Sequence, residues 1–181
     1  MYWFKPSAIS CLIILVFISG LQSCRPDVKD NHVRFFDIKG FFAADSAKLT
    51  KLNPLVRKLA SHNGHVEIKK LHIKNWGSEL SLFTGSDINK PAWEQDYELT
   101  ETDTLLQYKA KLPELKTRII LVKKQAGKVK EISIYNSTEN FLYTNTEKLT
   151  YFPDSLYRIQ KTQHVVLLGT NYYKIEGLLL R

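Results

Sequence analysis

The chain reads as an α+β protein, with N-terminal helices packed on a curved antiparallel sheet of about six or seven strands. Three observations predict it. Apolar residues between positions 38 and 59 recur at helical gaps, and the chain from position 97 onward breaks into strand-length runs. Turn residues punctuate those runs too often to leave room for crossover helices, so the strands should pair antiparallel. The 181 residues, 44% hydrophobic and 24% charged, suit a folded domain with a proper core rather than a disordered chain.

The first five residues carry one positive charge, Lys5, and no acid. An uncharged run of 14 residues follows over positions 8–21, and Ser19, Gly20 and Ser23 are small. A membrane-spanning helix needs about 20 apolar residues, so this length matches the core of a secretory leader. After Cys24 the chain turns polar, with Arg25, Pro26, Asp27, Lys29 and Asp30.

Leu21-Gln22-Ser23-Cys24 resembles the lipobox of bacterial lipoproteins, although Gln22 stands where small or β-branched residues are commoner. The resemblance implies a signal peptide over residues 1–23, cleavage before Cys24, and lipidation of the Cys24 sulfur by diacylglycerol, with acyl chains such as palmitate. It implies a lipid-anchored protein of the cell envelope. Arg25, in place of an inner-membrane retention Asp, favours the outer membrane. The other cysteine, Cys11, would leave with the leader, so the mature chain could form no disulfide. Two or three acyl chains hold a protein far more firmly than one.

Residues 24–33 read as a polar tether and residues 34–181 as a single α+β domain. Removing residues 1–23 lowers the formal net charge only from +8 to +7. That excess suits anionic headgroups or acidic glycans as much as a plain solvated surface. Nucleic acid is not an expected partner of an exported, anchored chain.

Asp37 is placed to cap the first helix, whose face carries Ile38, Phe41, Phe42, Leu49, Leu52, Val56 and Leu59, interrupted by Asp45 and Ser46. Asn53-Pro54 predicts a kink or a restart, giving a helix in two parts, and His62-Asn63-Gly64 a C-terminal stop. Val66, Ile68, Leu71 and Ile73 alternate like a strand, with a slip at Lys69-Lys70 that predicts a β-bulge. Trp76, Leu80 and Phe83 predict a short helix capped by Asn75. From residue 97 six runs read as strands, with Gln125-Ala126-Gly127, residues 136–140 and Pro153-Asp154 as turns.

The motifs that carry chemistry are sparse. His32, His62, His65, His72 and His164 lack the convergent spacing of a zinc site, so no metal and no cofactor is expected. There is neither a nucleophile elbow nor a phosphate-cradling glycine loop. Glu94, Asp96, Glu98, Glu101 and Asp103 form an acidic cluster, in which Asp96 and Glu98 would share one face of a strand and could act as an acid–base pair. The same cluster suits a solvated edge strand. Tyr135, Tyr143, Tyr151, Phe152, Tyr157, Tyr172 and Tyr173 could line a surface for sugars or acyl chains, or fill a half-buried sheet. Lys69, Lys70 and Lys74, then Lys123, Lys124, Lys128 and Lys130, mark two basic edges.

The later stretch, from SDINKPAW (Ser86 to Trp93) to LLGTNYYKIEG (Leu167 to Gly177), resembles uncharacterised lipoproteins of Bacteroidota-type bacteria. That resemblance implies the anchor and no activity. The expected function is therefore non-enzymatic binding of an amphiphile or a partner protein. The alternatives are an envelope hydrolase using acids between Glu94 and Asp103, or a structural subunit of an envelope complex.

Overall fold

In the computed structural model, which describes residues 34–180, helix α1 runs over Ile38–Leu52. Its cap is the predicted one: Asp37 Oδ1 accepts the Gly40 N–H at 2.8 Å. The helix ends where Asn53 turns left-handed, φ 43°, and donates its N–H to Leu49 O at 2.9 Å. α1 buries Ile38, Phe42, Asp45 and Leu49. Asp45, which interrupts the apolar face in the sequence, accepts a hydrogen bond from the buried Tyr151 hydroxyl.

The expectation of six or seven strands beneath N-terminal helices is overturned. Among the described residues the protein is mostly one antiparallel sheet of nine strands. They are β1 (Leu55–His62), β2 (His65–His72), β3 (Tyr97–Glu101), β4 (Leu105–Ala110), β5 (Thr117–Gln125), β6 (Lys128–Glu139), β7 (Tyr143–Phe152), β8 (Leu156–Val165) and β9 (Gly169–Leu180). Their spatial order is β2-β1-β9-β8-β7-β6-β5-β4-β3. The strand that was not foreseen is β1, which replaces the second half of the predicted helix and pairs with β2, where the alternation had predicted a strand. Two forces decide this. Asn63 and Gly64 both adopt positive φ, 48° and 88°, and form a two-residue hairpin turn between His62 and His65 rather than a helix stop. β1 also pairs along its whole length with the C-terminal strand β9 (Gly169–Leu180), from Leu55↔Leu180 to His62↔Tyr173. Such distant pairing overrides a local helical gap pattern.

The expected bulge at Lys69-Lys70 is absent too, because β1 and β2 pair without a register shift. The apparent slip has another cause. Val66 and Ile68 face away from the helices while Leu71 pairs with buried Val56, so the apolar residues switch faces along an edge strand. Register shifts do occur between β5 (Thr117–Gln125) and β6 (Lys128–Glu139), at Thr117/Ile119 and Lys123/Lys124.

The predicted short helix becomes two single turns, α2 (Trp76–Glu79) and α3 (Ser81–Thr84), with Asn75 Oδ1 accepting Ser78 N–H at 2.9 Å. A 3₁₀ turn follows at Pro91–Trp93. The rest is a meander through β3 (Tyr97–Glu101), β4 (Leu105–Ala110), β5, β6, β7 (Tyr143–Phe152), β8 (Leu156–Val165) and β9. Ala126 and Gly127, φ 49° and 73°, form the predicted hairpin between β5 and β6.

One face of the sheet meets the helices, and its register stacks the core in rows. Leu106, Val122, Ile132, Tyr151, Tyr157 and Gly177 align across β4 to β9. Tyr108, Ile120, Ile134, Leu149, Ile159 and Ile175 form the next row. Phe42 and Phe83 both pack edge-on against Tyr151, 5.0 and 5.8 Å between ring centroids, and Trp76 meets Tyr157 at 6.1 Å. Truncating a buried aromatic of this kind costs about 3–5 kcal/mol. The buried hydrophobic core runs from Phe35 to Ile159, all within the compact unit Val33–Arg181. That unit therefore has everything it needs to fold by itself.

Candidate functional site

A third row on the same face is polar: Thr117, Asn136, Glu147, Lys161, Tyr173 and His62. It anchors the segment after α3. Asn136 Nδ2 donates to Ser86 Oγ at 2.8 Å and to Glu147 Oε2 at 3.1 Å, and Thr117 Oγ1 donates to Ser86 O at 3.2 Å. Burial opposes charge on Glu147. The amides of Asn136 and Asn145 and the charges of Lys116 and Lys161 outweigh it, and hold the carboxyl below its ordinary value. These bonds fix α2 and α3 over only part of the apolar rows.

What they leave uncovered is a groove of about 670 Å³ between the β1–β2 hairpin and the two short helices. Ile159 and Ile175 form its floor, and Leu71, Ile73 and Leu82 its apolar walls. Its mouth carries Lys74, His72, Asn75, Ser78 and Ser81. Its volume lies within the range of small-molecule sites, about 300–1,000 Å³. Lys74 is exposed and makes no ion pair among the described residues.

Lys58 and Glu79 close the inner end. Lys58 Nζ lies 2.6 Å from Glu79 Oε1, and the Tyr157 hydroxyl donates to the same oxygen at 2.6 Å. Burial, reinforced by the Glu79 carboxylate, pushes the Tyr157 phenol well above its ordinary value. Glu79 thus meets an ammonium and a protonated phenol. The cluster ties α2 to β1 and β8.

The residues singled out in the sequence scatter. Cys24 and His32 lie outside the described residues. His62 stacks on Tyr173 at 4.6 Å, His72 Nδ1 lies 2.8 Å from Asn53 O, and His164 Nδ1 lies 2.9 Å from Thr170 Oγ1. No group of three metal-ligating side chains occurs among the described residues. Glu98 and Glu101 are exposed on the edge strand β3, Asp96 sits in the turn before it, and Glu94 pairs with Arg34. None of the five acids lines the groove.

Of the aromatics, Tyr151 and Tyr157 belong to the core, whereas Tyr172 and Tyr173 remain exposed. Of the basic edges, Lys123 pairs with Glu131 at 2.8 Å, and only Lys74 reaches the groove. Lys58, Glu79 and Ile175 were not singled out. For Lys58 the signal was present: read as a strand, residues 55–62 place it on the same face as Val56.

Among the described residues no helix is long and apolar enough to cross a membrane. No protein-family model, curated protein or solved structure matches the chain.

Proposed function

We propose that this is a non-enzymatic lipoprotein of the bacterial cell envelope, anchored through Cys24, that binds an amphiphile in the groove between the β1–β2 hairpin and helices α2 and α3. The observation that carries it is the groove's division into an Ile159–Ile175 floor and a mouth bearing Lys74, Asn75 and Ser78. An apolar tail finds aliphatic surface worth about 25 cal/mol per Å² removed from water, and an anionic or hydrogen-bonding head finds the Lys74 ammonium, the Asn75 amide and the Ser78 and Ser81 hydroxyls. The lipobox resemblance supports the anchor, and Arg25 supports the outer membrane. The acids between Glu94 and Asp103 do not favour a hydrolase, since they are spread along an exposed edge outside the groove.

Native mass spectrometry of residues 25–181, purified gently, tests this reading. The expected result is bound mass that delipidation removes and added long-chain fatty acid restores. A clean, stable, monomeric protein that takes up no fatty acid would refute it.

A further inference from the structure

Two loops at one end of the sheet end in bare hydrophobic side chains. The β6–β7 loop exposes Phe141 at 94% and Leu142 at 63%, and the β8–β9 loop exposes Val166 at 50%, Leu167 at 99% and Leu168 at 80%. They are neighbours, since Val166 N–H donates to Leu142 O at 3.0 Å. Lone exposed apolar residues are ordinary, but five on two adjoining loops form a patch that calls for a partner.

The tip is held in this shape. Asn140 Oδ1 accepts the N–H groups of Leu142 and Tyr143 at 2.8 and 2.9 Å, which turns Phe141 outward. Leu167 sits at φ 73°, a conformation that costs a bulky side chain and that glycine or asparagine would adopt freely. The loop bears a leucine there nonetheless, and points it fully into solvent.

The chemistry behind the tip is layered. Residues 140–146 and 162–173 contain no Asp, Glu, Lys or Arg, and the charge nearest the tip is the exposed Glu139, opposite Thr144 at the end of β6. Tyr143, Tyr172 and Tyr173 come next, and Tyr172 lies about 10 Å behind Gly169 at a strand rise of about 3.3 Å per residue. Lys148, Lys161 and Lys174 follow, Lys174 about 17 Å behind Gly169. Lys148 and Lys161 make no ion pair among the described residues, whereas Lys174 lies 3.4 Å from Glu176 Oε2.

We infer that this end of the sheet is a membrane-contact tip, in which Phe141, Leu142, Val166, Leu167 and Leu168 enter the acyl boundary of a bilayer. Tyrosines then lie at the headgroup level, where an apolar ring and a polar hydroxyl are both satisfied, and the lysines reach anionic phosphates behind them. An apolar protein partner would not ask for this order of apolar, tyrosine and lysine layers. The inference stands apart from the groove, since neither loop lines it.

Flotation of residues 25–181, which lack the anchor cysteine, with vesicles of phosphatidylethanolamine and phosphatidylglycerol tests it. The protein should float with the vesicles, less so at high salt or with phosphatidylcholine alone. Combined F141S, L167S and L168S should lower the bound fraction by roughly tenfold while leaving the thermal midpoint unchanged. I175W, which fills the groove, should float like wild type. Wild-type protein that ignores vesicles, or a triple variant that floats as well as wild type, would overturn the inference. Self-association through the tip in place of vesicle binding would also overturn it, in favour of a protein contact.

Discussion

The ring of Tyr157 occupies the space that a side chain at Gly177 would take. A methyl group on Gly177 would lie 2.0 Å from Tyr157 Cε1 and 2.5 Å from its hydroxyl oxygen. The two residues are register partners on β8 and β9, and Gly177 faces Lys58 on its other side. Glycine there lets the phenol reach across β9 to Glu79, and so sets the inner wall of the groove.

Gly177→Ala should therefore destabilise the protein by about 1–3 kcal/mol through overpacking, with no contribution from backbone strain because φ is not positive there. Adding Tyr157→Phe should not restore stability, since the clash is with the ring. Chemical denaturation of both variants checks this. A neutral Gly177→Ala would contradict the placement of Tyr157.

The β1–β2 hairpin depends on Gly64 at φ 88°, where a methyl group would meet no atom within 4 Å. Gly64→Ala should cost about 1–2 kcal/mol from backbone conformation alone. Amide hydrogen exchange should show the loss of protection concentrated over residues 55–72. Unchanged protection would contradict the hairpin.

Glu147 is the buried contributor to behaviour in acid, beside the less buried Glu131 and Glu176, whose carboxyls hydrogen bonds from Lys123 and Arg158 hold low. The Glu147 carboxyl is held below its ordinary value in the folded protein, so it contributes stability above the ordinary carboxylate range. That contribution is lost as the pH falls through the lowered folded value. Glu147→Gln should be less stable at neutral pH by about 1.5–3 kcal/mol and should converge on wild type in acid. Parallel stability curves would contradict the assignment.

Four tyrosines govern behaviour in base. Burial pushes Tyr97 up to about 12 and raises Tyr108, Tyr151 and Tyr157, the last two further through Asp45 and Glu79. Their contribution is complete below about pH 10, the value of a free tyrosine, and is lost as the pH rises through the folded values. Phenolate absorbance should show these rings protonated well past that point, then ionising together as the protein unfolds. A single wave from all eight tyrosines of residues 25–181 with the fold intact would contradict their burial.

The parts of the fold legible in the sequence are those decided locally. Asp37 and Asn75 cap where their side chains can reach free amides, and Ala126-Gly127 turns where positive φ is needed. Residues 55–62 were not legible, because Val56 and Leu59, three apart, fit a helix as well as a strand. What decides them is β9, more than a hundred positions away. That single misreading hid the site. On a helix Lys58 has no relation to Glu79, whereas on β1 it closes the groove that Ile159 and Ile175 floor. Asp45 was illegible for a similar reason, since its partner Tyr151 lies on β7.

The most direct measurement is a titration of residues 25–181 with a fluorescent long-chain fatty acid, beside Ile175→Trp and Lys74→Glu. Wild type should bind saturably at one site. Ile175→Trp should weaken binding by roughly tenfold, about 1.4 kcal/mol, because the indole fills the floor. Lys74→Glu should weaken the fatty acid more than its neutral alcohol. No saturable binding by wild type, or equal binding by Ile175→Trp, would contradict an amphiphile in this groove.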